Sequence, residues 1–118
     1  MYPINLILKM KGINPASKLV YLYLYEKAYN NQDMYRLLKP DIDAGHQEAT
    51  KMIKGTSLRE IAEATGVTQR TVSRCIDALE EVGLIERVAQ KSEIGTISLN
   101  RYKVYETATG NKHIIAEV

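Results

Sequence analysis

The chain has 118 residues, 45% of them apolar and 25% charged, with a formal charge of +2 and a pI near 8.6. That size and composition fit one soluble domain spanning 1–118. They exclude a membrane-spanning helix, because no apolar run approaches about 20 residues. They also exclude an internal disulfide or a thiolate metal cluster, because Cys75 is the only cysteine. The mild positive charge is compatible with a nucleic-acid partner but does not require one.

In chain order, "MYPINLILKMKGINP" places its lysines after its apolar run and has no small-residue cleavage site. A secretory leader has the opposite charge order, so a cytoplasmic protein is expected. Asn14-Pro15 is a helix start, with Asn as cap and Pro where its missing N–H costs nothing. The next run, "ASKLVYLYLYEKAYNN", has the aromatic and β-branched content of a strand at "VYLYLY". Its proline start, its length and the continuation Glu26-Lys27-Ala28 favour a helix over 15–30. On a helical wheel Tyr21, Tyr25 and Tyr29 fall away from the face of Ala16, Leu19 and Tyr23. These three tyrosines are the expected homodimer interface, since each joins an apolar ring to a hydroxyl that can stay wet.

Residues 31–56 are read as a short turn of helix before Pro40 and a second short helix from about Gln47 to Lys54. His46 with Glu48 copies a fragment of a zinc deaminase signature, but the paired cysteines of that signature are missing. His46 and His113 therefore read as surface residues, and neither a metal nor another cofactor is expected. No glycine-rich phosphate loop is present either, so an enzyme is not expected.

Ser57-Leu58-Arg59-Glu60 has the form of a capping box, starting a helix over about 58–64. Gly66 supplies the positive φ of a tight helix–helix corner. Thr68 caps a second helix over about 69–82, closed by Gly83 in a left-handed conformation. In that helix Val72, Cys75, Ile76 and Leu79 form one apolar stripe, with Cys75 acting as a small core residue. Arg70, Arg74 and Asp77 then face outward, with Ser73 beside them and Gln69 at the edge.

That outward inventory suits base edges. Arginine pairs bidentately with guanine, glutamine with adenine, and Ser or Thr with either. Amides at Thr68 to Thr71 would favour a phosphate, whereas Glu80 and Glu81 would repel one. The helix is thus expected to enter a major groove by its amino-terminal half, with Ser57, Thr68, Gln69, Arg70, Thr71, Ser73 and Arg74 as DNA-binding side chains. After Gly83 the period changes, and "LIERVAQ" and "TISLNRYKVYE", joined by "KSEIG", read as a β-hairpin. Arg87, Lys91 and Arg101 are its candidate DNA contacts, with Lys103 nearby. The tail "TATGNKHIIAEV" is read as one more strand, turned at "ATGN".

The run "TSLREIAEATGVTQRTVSRCIDALEEVGLIERV", followed by "NRYKV", resembles the winged helix-turn-helix superfamily, including the reader heads of GntR-type and MarR-type repressors. "NPASKLVYLYLYEKAYNN" is similar to the helix before this motif in plasmid and phage replication initiators. The resemblance implies a mainly α fold with a β-hairpin wing (α+β), the helix-turn-helix at about 57–83 and the wing at about 84–105. It implies that Thr68, Gln69, Arg70, Thr71, Ser73 and Arg74 face double-stranded DNA, with Lys91 on the wing. The function it implies is that of a small sequence-specific repressor of a bacterium, phage or plasmid. A replication-initiation or partition protein is a second reading. A winged helix used only for protein contacts is a third, because a fold does not fix a function.

Overall fold

The computed structural model describes residues 9, 11–46, 48–49, 52–53, 55–88, 93–94, 97–98, 100–106 and 114–118. Among these, three helices and five short strands follow one another as α1 (Pro15–Asp43), α2 (Leu58–Thr65), α3 (Gln69–Glu81), β1 (Ile85–Val88), β2 (Glu93–Ile94), β3 (Ile97–Ser98), β4 (Arg101–Tyr105) and β5 (Ile114–Glu117).

Helix α1 begins as its sequence dictates. The Asn14 side chain accepts from the Ser17 amide at 2.8 Å, and Pro15 occupies the first turn. The helix does not stop near residue 30, and the turn before Pro40 is not separate: one helix of 29 residues runs through Pro40 to Asp43. Pro40 sits in the last turn, where its missing N–H deprives only the Arg36 carbonyl, and both residues are exposed. Tyr35, 5% exposed, extends the buried stripe of Ser17, Tyr21, Leu24 and Ala28 along the helix.

The face assignment of the tyrosines is corrected in the same helix. Tyr21 and Tyr25 are 0% and 4% exposed within a single chain, so they belong to its own core and cannot form an interface with a second copy. Leu19, expected inward, is 49% exposed, and of the three tyrosines only Tyr29 faces solvent. The rings are covered by a sheet built from the distant carboxy-terminal part of the chain. The Tyr21 hydroxyl donates to the Tyr105 carbonyl, and Tyr21 and Tyr25 stack at a tilt with centroids 5.9 Å apart.

That sheet has the antiparallel order β1-β4-β5. Ile85 pairs with Val104 and Val88 with Arg101, so the first two strands form the expected hairpin. Its outer pairs, Glu93 with Ser98 and Ile94 with Ile97, carry strand pairing into "KSEIG", the segment read as the connection. The extra tail strand is β5, which pairs with β4 across a bulge between Val104 and Tyr105. The turn expected at "ATGN" lies outside the described residues. Of the helix expected from Gln47 to Lys54, Glu48 and Ala49 are helical, Met52 and Ile53 form a turn and a bend, and the other four residues lie outside the described ones.

The core lies between α1, α3 and the sheet. Val72, Cys75, Ile76 and Leu79 of α3 meet Val20, Tyr21 and Leu24 of α1 together with Ile85, Tyr102, Val104 and Ala116. An isolated bridge joins the segment before α2 to the wing, with the Thr56 amide donating to the Asn100 carbonyl at 2.7 Å and the Asn100 amide to the Thr56 carbonyl at 3.1 Å.

Candidate nucleic-acid interface

The site is set by how α2 starts and stops. The Ser57 hydroxyl accepts from the Glu60 amide at 3.0 Å, one half of the capping box. The other half does not form. The Glu60 carboxylate turns to α1 and accepts from the Tyr23 hydroxyl at 2.7 Å and from Lys27 Nζ at 2.5 Å, which fastens α2 to α1. Burial raises the Glu60 pKa, but the hydrogen bonds from Lys27 and Tyr23 and the Lys27 charge outweigh it and hold the carboxyl below its usual value. Burial and the same bond push the Tyr23 phenol up.

Gly66 ends α2 with φ 75° and ψ 9°, its N–H donating to the Ala62 carbonyl at 2.9 Å. This left-handed residue makes the corner, as its sequence position requires. Thr68 then caps α3, accepting from the Thr71 amide at 3.3 Å and donating to the Thr71 hydroxyl at 2.9 Å. The Thr71 amide is therefore occupied, and the outward amides of the first turn are those of Gln69 and Arg70. At the far end Gly83 takes φ 84°, with its N–H on the Glu80 carbonyl and the Leu84 N–H on the Leu79 carbonyl. That is a Schellman ending, and it turns the chain from α3 into β1.

With the stripe of Val72, Cys75, Ile76 and Leu79 buried, the opposite side of α3 is fixed. Thr68, Gln69, Arg70 and Arg74 are exposed, and Thr71 and Ser73 are half-buried. Neither Arg70 nor Arg74 meets a carboxylate among the described residues. They stand one helical turn apart as a pair of uncommitted forks.

The wing arginines differ. Arg87 donates from Nη1 to Glu80 at 2.7 Å and from Nη2 to Asp77, so this expected DNA contact is engaged with α3 itself. Arg101 has a side chain only 15% exposed, 4.0 Å from the buried Glu117 carboxylate. Its side chain is thus mostly turned toward β5, unlike the exposed Arg70 and Arg74. Lys91 lies outside the described residues, and Lys103 is half-buried on β4. Sequence reasoning missed the Asp77–Glu80–Arg87 cluster, although the acids' three-residue spacing places both near one helix edge.

No group of three or more His, Cys, Asp or Glu side chains gathers as a metal site among the described residues. No helix among them is long and apolar enough to cross a membrane.

A helix-turn-helix with a left-handed glycine corner, followed by an antiparallel hairpin, defines a winged helix-turn-helix. Residues 54–86 match the family model for winged helix-turn-helix DNA-binding domains. The match takes in both helices, the corner and the start of β1, and it agrees with the winged helix-turn-helix geometry of this segment. No curated protein and no solved structure matches the chain.

Proposed function

We propose that the protein is a sequence-specific binder of double-stranded DNA, a small transcriptional repressor of a bacterium, phage or plasmid. Residues 1–118 work as one domain in the cytoplasm, as a homodimer on two half-sites. The observation that carries this reading is the outward side of α3, where Arg70 and Arg74 are exposed and uncommitted beside a capped amino terminus. Their positions four residues apart separate them by about 6 Å along the helix. Each can present a planar pair of donors to guanine O6 and N7, while Gln69 suits adenine and the Thr71 and Ser73 hydroxyls suit either a base or a phosphate.

Among the described residues three of the four exposed large hydrophobic side chains, Leu19, Tyr29 and Leu37, stand on α1. Leu19 and Leu37 lie in line along the helix, about 27 Å apart. Of the three tyrosines expected between two copies, only Tyr29 stays available, and the homodimer would hold half-sites about 34–36 Å apart.

Selection of bound sequences from a random duplex pool tests the reading. The expected result is a recurring site with two related halves one duplex turn apart, lying over promoters. An iterated array near an origin would point to replication or partition instead. Recovery of no preferred sequence, with binding insensitive to salt, would overturn the proposal, because phosphate-driven affinity must fall steeply as salt rises.

A further inference from the structure

The DNA-binding reading needs the wing to lie in a fixed place beside α3. Among the described residues Arg87 ion-pairs the wing to α3. Arg87 of β1 donates from Nη1 to Glu80 Oε1 at 2.7 Å and from Nη2 to Asp77 Oδ1. Its backbone N–H adds a third bond, to Glu80 Oε2 at 3.0 Å. One carboxylate is thus gripped by both the side chain and the backbone of the same residue, and the guanidinium fork spans two acids.

The cluster also lies where DNA would approach. Asp77 follows Arg70 and Arg74 on one outward line of α3, at spacings of four and three residues, and its side chain is 66% exposed. An uncovered carboxylate there would repel phosphates and present an acceptor to cytosine N4. Glu80 lies at the flank of that line, on the side of Ser73 and Gln69. A phosphate reaching Arg87 would have to share it with both acids.

We propose that Arg87 is a positioning residue for DNA binding: it locks the wing to the recognition helix and screens Asp77 and Glu80, leaving base reading to Arg70 and Arg74. This rests on the function proposed above and deepens it. The reading surface then ends near Arg74, and the wing and α3 meet DNA as one rigid unit. Arginine is required for this role, because the single ammonium of lysine cannot span two carboxylates with a planar fork.

The test is a double-mutant comparison on the full chain, using a duplex selected on the parent protein and a random duplex. Arg87→Met should weaken both by about three- to tenfold and leave the ratio between them unchanged. Arg87→Lys, which keeps the charge, should lose affinity similarly. In a background of Asp77→Asn with Glu80→Gln the clamp is already gone, so Arg87→Met should cost less than about twofold. Amide exchange of the DNA-free protein should quicken over Ile85–Val88 in Arg87→Met, with Val72–Ile76 unchanged.

A direct DNA contact predicts the reverse: Arg87→Lys binds like the parent, and Arg87→Met costs at least as much in the doubly neutralised background. Either result overturns the proposal, as does unchanged exchange at β1. A parent protein that binds no duplex defeats the DNA-binding reading itself and is told apart by needing no mutant.

Discussion

Four arginines that look alike in the sequence have three different surroundings. Arg70 and Arg74 point to solvent uncommitted, Arg87 spans two acids of α3, and Arg101 is tucked against the buried Glu117. The local pattern identified the first two because the α3 stripe leaves only one side for them. It could not separate the other two, because their partners depend on how a strand lies against a helix and on a strand from the far end of the chain. Glu60 was legible as a cap and not as a bridge, since its Tyr23 and Lys27 partners lie on another helix. Its lowered pKa makes a prediction. A carboxyl depressed in the folded state adds stability that is present above its unfolded value and is lost as pH falls through the folded one. Glu60→Gln should therefore be less stable than the parent near neutral pH, by about 0.5–1 kcal/mol for a half-exposed network. The gap should close as pH drops below about 4.5. Thermal unfolding of both proteins across that range checks this, and a gap independent of pH would show that the ionised bridge is not its source.

At the scale of elements, α2, the corner and α3 were readable because caps, glycines and period sit close together in sequence. The orientation of α1 was not, because its apolar residues surround the helix and its covering strand, β5, is remote. Its length was underestimated at the Asn30-Asn31 pair, whose modest propensity cost a buried Tyr35 outweighs. The corner offers a clean stability test. Among the described residues, chain neighbours aside, no atom lies within 4 Å of where a Cβ on Gly66 would sit, so a substitution there meets backbone strain and not a clash. Gly66→Val should cost about 1–3 kcal/mol at positive φ, while Gly66→Asn, which tolerates that region, should cost clearly less. Denaturant midpoints of the two variants decide it. Equal midpoints for valine and parent would mean that the left-handed corner is not formed in solution.

At the scale of the molecule, Tyr21 and Tyr25, which seemed free for a partner, hold the two halves of the fold together. Of eight tyrosines, burial first of all raises the pKa of Tyr21, Tyr23, Tyr35, Tyr102 and Tyr105, the last to about 12. A phenol raised in the folded state contributes stability fully present below its ordinary value of 10.0 and lost as pH climbs through the folded value. Stability should thus fall above pH 10, chiefly through the well-buried Tyr21 and Tyr102. Phenolate absorbance should rise in two stages, the second coinciding with loss of helix. All eight ionising together near pH 10 with the fold intact would contradict this packing.

DNA recognition by this protein depends on whether the outward side of α3 reads bases. The most direct measurement compares Arg70→Ala and Arg74→Ala with the parent on a selected duplex and on a random one. Each variant should lose about 1–3 kcal/mol on the selected duplex and relax preference at one position. Loss on random DNA should be smaller and melting unchanged, because both side chains are exposed and uncommitted. Equal losses on the two duplexes, or none on either, would contradict a base-reading helix.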